Sequence, residues 1–241
     1  KEGNTLVLRP DFTPSIARAV SKYFTDDRIV RLFYAGNVFA NNKRYQGRLK
    51  ESCQFGGELI GTDSIDSDAE IISIVVNALK DTGLKDFQIS VGHADIFKGL
   101  IEVGSFDEED VEIISDYMYN RNVFGLEEFL DSKKCDKDLT NLFIKICSMY
   151  MPDSEQWSEL IDISKKYDVL YNALTYLNDL YEILKVYEVE KYISFEAGTI
   201  SEFDYYTGII FAGYTYGSGE PIVTGGRYNN LLANFEIGRA S

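Results

Sequence analysis

Gln54, Gly56 and Glu58 fall at alternate positions of residues 53–60, a run whose composition and bounds predict a β-strand. Side chains of a strand alternate faces, so these three share one face while Cys53, Phe55 and Gly57 share the other. An amide and a carboxylate on one face can hold a small zwitterion. The carboxylate takes an ammonium, and the amide donates to a carboxylate or accepts from an N–H. Gly56, between them, would leave room for a ligand against the sheet. An ordinary polar sheet face has the same pattern. Asp11 and Thr13 stand just before an expected helix, where they are either caps or a second anchor for an amino group. Tyr205 and Tyr206 project to opposite faces at a strand end: one phenol could pack on a ligand ring and bond its nitrogen, the other enter the core. Gly225-Gly226 before Arg227-Tyr228 allows either a close backbone approach or a tight turn.

The elements that must position these groups form three zones. To about residue 91, strands and helices alternate. Thr13-Pro14 reads as an N-cap followed by an N1 proline, with Ile16, Val20 and Tyr23 at helical spacing. Residues 29–34 and 53–60 read as strands around a polar loop at 41–50. Ser67 can cap a helix burying Ile71, Ile74, Val75, Ala78 and Leu79 and closed by Gly83, and 87–91 is a further strand. Residues 95–190 are helical in pattern, broken weakly at Gly104-Ser105 and Pro152-Asp153-Ser154. The acidic runs at 107–112 and 127–131 read as solvated helix faces, and the tyrosines of 167–187 as packing material. The last zone, with strands at 192–197, 208–216 and 221–223, predicts an antiparallel meander turning at 216–219. The Gly-Ser-Gly there lacks the strand-to-helix context of a phosphate loop. Strands on either side of a helical block imply an α+β fold: one mixed, mainly antiparallel sheet flanked by helices, interrupted by an inserted helical subdomain. The expected division is 1–94 and 191–241 for the core and 95–190 for the insertion.

Bulk properties narrow the partners. The 241 residues carry a formal net charge of −15, which repels a polyanion unless a basic face is segregated. Lys43, Arg44, Arg48 and Lys50 cluster on one loop, enough for a phosphate but a thin footprint for tRNA. Three cysteines without a CxxC pair fit a reducing, cytoplasmic setting, and a single histidine cannot build the usual zinc spacings. No apolar run approaches the roughly 20 residues of a membrane span. The chain starts at Lys1 and stops at Ser241 in a polar stretch, which reads as a piece of a longer protein.

Taken in order, the segments RPDFT (9–13), FANN (39–42), GRLK (47–50), CQFGGELIG (53–61), ISEFDYY (200–206) and GGRYN (225–229) resemble the histidyl-tRNA synthetase family. Members carry R-P-E-x-T, a class II motif 2 hairpin F-R-x-E…G-R-x-R…Q-x-G-x-E-x-x-G, then L-V-R-G-L-D-Y-Y and G-G-R-Y-D. The resemblance implies a class II aminoacyl-tRNA synthetase-like fold in which Asp11, Thr13, Gln54, Glu58, Tyr205 and Tyr206 surround bound L-histidine. It makes Arg48 a possible phosphate contact, and His93 more a structural histidine than a ligand. A motif 1 helix would precede Lys1, and the motif 3 strand and helix would follow Ser241. The motif 2 arginine falls on Ala40, the acid two positions on falls on Asn42, and the arginine of L-V-R-G-L-D-Y-Y falls on Ser201. Amino-acid activation builds negative charge at phosphorus, and losing one preorganised donor costs roughly 10²–10³-fold in other systems.

The longer segments LRPDFTPSIAR (8–18), RLFYAGNVF (31–39), QGRLKESCQFGGELIG (46–61) and YYTGIIFAGYTYGSGEPIVTGGRYNNLL (205–232) are more similar to a non-synthetase branch of the family, the regulatory subunits of short-form ATP phosphoribosyltransferases. That likeness implies no catalytic residues, no metal and no cofactor. It implies a histidine-sensing role in the first step of histidine biosynthesis, and assembly with the catalytic subunit as a homodimer within a hetero-oligomer, without tRNA or membrane. A histidyl-tRNA synthetase catalytic-core fragment is the alternative.

Overall fold

The computed structural model describes residues 7–24, 28–41, 49–150, 154–196 and 206–231. Two compact units are distinguished. The first holds helix α1 (Thr13–Tyr23) and strands β1 (Val30–Phe39) and β2 (Glu51–Ile60), and the second holds residues 68–228.

In the first unit β1 and β2 form an antiparallel hairpin in register from Val30 opposite Ile60 to Phe39 opposite Glu51. Both strands extend beyond the runs expected from sequence, because the ladder continues through the polar Asn37, Glu51 and Ser52; Asn37 Nδ2 donates to Glu51 across it at 2.6 Å. One face carries Leu32, Tyr34 and Gly36 opposite Glu58, Gly56 and Gln54. The other face presents Phe33 and Phe55 to solvent. Before α1, the Arg9 carbonyl accepts the Phe39 N–H at 2.9 Å, tying the RPDFT segment to the hairpin end. The helix buries Val20 as expected, but with Ala17 and Ser21 beside it rather than Ile16 and Tyr23, and Tyr23 is exposed.

The second unit is built on a four-stranded sheet in the order β4-β3-β5-β6, with β3 (Phe87–His93), β4 (Ile193–Phe195), β5 (Ile209–Thr215) and β6 (Val223–Gly226). β4 runs parallel to β3, so only β5 and β6 form the expected hairpin. A parallel neighbour needs a long crossover. Helices α3 to α8 lie between β3 and β4 in the chain. The described strands thus make two sheets, where the sequence pattern suggests one.

Helix α2 (Ile65–Asp81) starts earlier than expected. The Ser64 hydroxyl accepts the Asp66 N–H, whereas Ser67 Oγ pairs with Thr62 Oγ1 at 3.1 Å. Its deepest apolar residues are Ala69, Ile72 and Val76, and Ile74 is exposed; Gly83 closes it with φ +87°. The next helices are α3 (Ala94–Gly104), α4 (Glu108–Tyr119), α5 (Val123–Ser132), α6 (Lys137–Ser148), α7 (Ser154–Ser164) and α8 (Asp168–Val186). His93, Asp107, Asn122 and Asp136 cap α3 to α6 by accepting first-turn N–H groups, the Asp and Asn caps each worth about 1 kcal/mol. Ser105, Arg121, Lys134 and Glu188 take left-handed φ at the turns. None is glycine, which is why the helical zone shows such weak breaks. Leu170, Leu174, Leu177, Leu180 and Leu184 give α8 one apolar face, and Trp157 and Tyr181 both meet the Phe195 ring edge-on. The acidic face of α4 is solvated except at Asp110, which is buried and ion-paired with Lys133.

Candidate functional site

Thr13 does not cap α1. The capping position is Phe12, and the Thr13 hydroxyl donates instead to Glu58 Oε1 at 2.7 Å. Asp11 Oδ1 accepts the Thr13 N–H at 3.2 Å, which fixes the turn that aims the hydroxyl. Glu58 is only 8% exposed, so its carboxylate acts in a weakly screened setting. Of the sequence candidates, Asp11, Thr13 and Glu58 are therefore brought together by direct contacts.

Gln54 lies on the same strand face. Its Oε1 is buried and has no hydrogen-bond partner among the described residues. A buried carbonyl left unmet costs roughly 1–3 kcal/mol, so an N–H arriving from a ligand would relieve it. Gly56 does not open space against the sheet as expected. A Cβ there would lie 2.4 Å from Cζ of Tyr34, whose ring crosses the strand between Gln54 and Glu58. Tyr34 in turn stacks on Phe12, centroids 4.6 Å apart, and the Arg9 guanidinium sits 4.5 Å over the Phe12 ring. A ligand on this face would rest on an aromatic floor rather than on bare backbone. Tyr34 escapes the sequence reading because only the hairpin register sets it opposite Gly56.

In the second unit, Tyr206 is 7% exposed and packs with Ala94, Ile210 and Tyr228. It is the tyrosine of the pair that enters the core. Its ring covers Gly226, where a Cβ would come within 2.7 Å of Cδ1, so the Gly-Gly pair serves close approach on β6 rather than a turn. Tyr205, Arg48, Asn42 and Ser201 lie outside the described residues. Ala40 is exposed at the end of β1, its N–H donated to the Lys50 carbonyl at 2.9 Å.

Arg227 stands out in the sequence only through the GGRYN segment and its glycines, yet it anchors a buried polar cluster. Its Nη2 and Nε donate to Asp68 Oδ1 at 2.8 and 3.1 Å. The Tyr176 hydroxyl donates to Asp68 Oδ2 at 2.5 Å, and His93 meets the Tyr176 ring edge-on at 5.6 Å. Burial and the Asp68 carboxylate hold the Tyr176 phenol well above its ordinary range, so it stays a donor. Burial pushes the His93 imidazole below its ordinary value, opposed by Asp95 and Asp68. As expected, His93 is structural: its Nδ1 accepts the Asp95 N–H at 3.2 Å. The remote partners, Asp68 and Tyr176, carry no local signal in the sequence.

A buried carboxylate–hydroxyl pair thus shares one face of the β1–β2 hairpin with an unmet amide carbonyl, a set of groups that could hold a small amino acid. The family model described as histidyl-tRNA synthetase matches residues 1–241, and the chain belongs to that family. It is 37% identical over 234 residues to the ATP phosphoribosyltransferase regulatory subunit of Caldanaerobacter subterraneus subsp. tengcongensis, covering 96% of this chain and 60% of that one. The regulatory subunit of Acetivibrio thermocellus is 35% identical, with 98% and 56% covered. The chain thus spans about 60% of the length of such curated relatives. Among solved structures, an ATP phosphoribosyltransferase regulatory subunit/histidyl-tRNA synthetase from Bacillus halodurans superposes with a TM-score of 0.85 at 31% identity, covering 98% of this chain and 61% of that one. A chain of the ATP phosphoribosyl transferase complex from Thermotoga maritima shares the fold, with a TM-score of 0.67 at 21% identity, covering 95% and 78%. The class II synthetase-like α+β fold expected from the motifs is the observed one.

Proposed function

We propose that this chain is the core of a non-catalytic, histidine-sensing regulatory subunit of ATP phosphoribosyltransferase. The observation that carries the reading is the Thr13–Glu58 pair next to the buried, unmet Gln54 carbonyl. That is a retained amino-acid site on a hairpin whose expected phosphate-gripping arginine is Ala40. Glu58 takes the ammonium of L-histidine, Asp11 orients Thr13, and Gln54 accepts an N–H. The family motif also names Tyr205 and Tyr206 for histidine and Arg48 for a phosphate, although Tyr206 is buried against Ala94, Ile210 and Tyr228.

The similarity to curated regulatory subunits at 34–37% identity supports this branch over the synthetase branch. The partner is the short-form catalytic subunit, with this protein as a homodimer in the hetero-oligomer. The net charge of −15 favours a protein partner over tRNA, and the setting is the cytoplasm. Residues 95–190 are the inserted subdomain. No helix among the described residues is long and apolar enough to cross a membrane. Histidine shifts the complex toward low transferase activity only by as much as it binds the two states differently.

The test is ATP–pyrophosphate exchange in the full-length protein with L-histidine, alongside calorimetric titration of the same amino acid. Selective binding without exchange is expected. Histidine-dependent exchange would return the chain to the synthetases.

A further inference from the structure

One face of the β1–β2 hairpin lacks two side chains and seats two rings in their place. A Cβ at Gly36 would lie 2.8 Å from Phe12 Cζ, and one at Gly56 would lie 2.8 Å from Tyr34 Cε1. Glycine inside a strand weakens it and recurs where another group must come close to the backbone. Gly36 stands opposite Gln54 and Gly56 opposite Tyr34, so the rings occupy successive rungs of the same face. They stack at 4.6 Å with 21° between their planes, and the Arg9 guanidinium lies 4.5 Å from the Phe12 centroid. Phe12 is 9% exposed and Tyr34 only half-buried, which leaves Tyr34 as the ring that a ligand can touch.

The spacing of the polar groups gives that ring its importance. Gln54 and Glu58 stand four residues apart on one strand, about 13 Å between their Cα atoms. One ammonium cannot meet both. A ligand held by both lies along the strand, with its ammonium at Glu58 and an N–H at its far end for the unmet Gln54 Oε1. Between those ends it crosses the Tyr34 ring over Gly56. A planar side chain gains a ring-on-ring contact there, and an imidazolium gains a cation–π contact as well. A flexible aliphatic chain with the same end groups gains neither. The turn that carries Phe12 also carries Asp11 and Thr13, so one short segment sets both the ring stack and the hydroxyl on Glu58.

We infer that Tyr34 is the specificity-determining residue of this face: it selects a planar side chain bearing an N–H, while Glu58 and Gln54 grip the two ends of the ligand. The inference rests on the reading of this hairpin face as the histidine site. Every residue it uses lies in the first unit.

The test is calorimetric titration of L-histidine into the full-length protein, comparing wild type with Tyr34→Phe, Tyr34→Leu and Glu58→Gln, with thermal melts on the same samples. Tyr34→Phe keeps the ring and should bind within about twofold of wild type. Tyr34→Leu should raise Kd about three- to tenfold. L-Ornithine, which has an amino group at each end and no ring, serves as the competitor, with histidine held at its own Kd for each protein. Ornithine should displace histidine from Tyr34→Leu at the same concentration as from wild type. A folded Tyr34→Leu with wild-type Kd for histidine overturns the inference while leaving the pocket standing. So does a proportionate weakening of ornithine in Tyr34→Leu, which marks a merely structural ring. Should Tyr34→Leu not fold, Tyr34→Met fills the slot with a flexible chain, and a wild-type Kd there overturns the inference. No histidine binding by wild type, or a Kd unmoved by Glu58→Gln, overturns the pocket reading and this inference with it.

Discussion

Replacing Glu58 by glutamine removes a charge and almost nothing else. The amide oxygen can still accept the Thr13 hydroxyl now bonded to Glu58 Oε1 at 2.7 Å, and the side-chain volume is preserved. The fold should therefore hold, with a Tm close to wild type. What is lost is the charge-assisted bond to the ligand ammonium, at a site 8% exposed where solvent screens poorly. Hydrogen bonds to charged groups contribute about 1.5–3 kcal/mol. Converted at 1.4 kcal/mol per decade, Kd for L-histidine should rise roughly ten- to 150-fold. Calorimetry on wild type and Glu58→Gln, with thermal melts on the same samples, reads both quantities. A Kd within about twofold of wild type would refute the assignment of Glu58 to the ammonium. A large fall in Tm would instead mark Glu58 as a structural group.

Two further outcomes follow from contacts already described. Gly56→Ala places a methyl 2.4 Å from Tyr34 Cζ, so the Tyr34–Phe12 stack must move; a loss of about 1–3 kcal/mol in urea unfolding is expected, and an unchanged midpoint would contradict it. His93 is held neutral by burial, its folded pKa lying below the ordinary 6.5. Above that pH both states are neutral. As pH falls through it the unfolded chain binds a proton that the folded chain refuses, so stability declines toward the folded value. His93→Asn keeps an acceptor for the Asp95 N–H and removes the titration, so its stability should fall less between about pH 7.5 and 5.5. Parallel slopes for the two proteins would reject the neutral, buried histidine.

The motifs make the hairpin, its polar strand face and the class of fold legible, because period-two patterning and turn residues act locally. Thr13 looks like a cap since Thr-Pro is a common helix entry, and only the tertiary contact with Glu58 diverts its hydroxyl. Gly56 invites a ligand on paper; the hairpin register fills that space with Tyr34. The helical zone is legible in kind but not in its joints, where non-glycine residues take left-handed turns. The direction of β4 hides behind six helices, as a three-residue strand gives no sign of its partner. Least legible is the Asp68–Arg227–Tyr176 cluster, whose members stand 108 and 159 positions apart.

In the proposed role this protein activates a catalytic subunit and reports histidine to it. The direct measurement is the ATP phosphoribosyltransferase rate of the short-form catalytic subunit, alone, with the full-length protein, and with L-histidine added, repeated with Glu58→Gln. Activity on mixing and inhibition by histidine are expected, with a Glu58→Gln complex that stays active while inhibition needs at least tenfold more histidine. No activation on mixing, or histidine inhibition unaltered by Glu58→Gln, would contradict it.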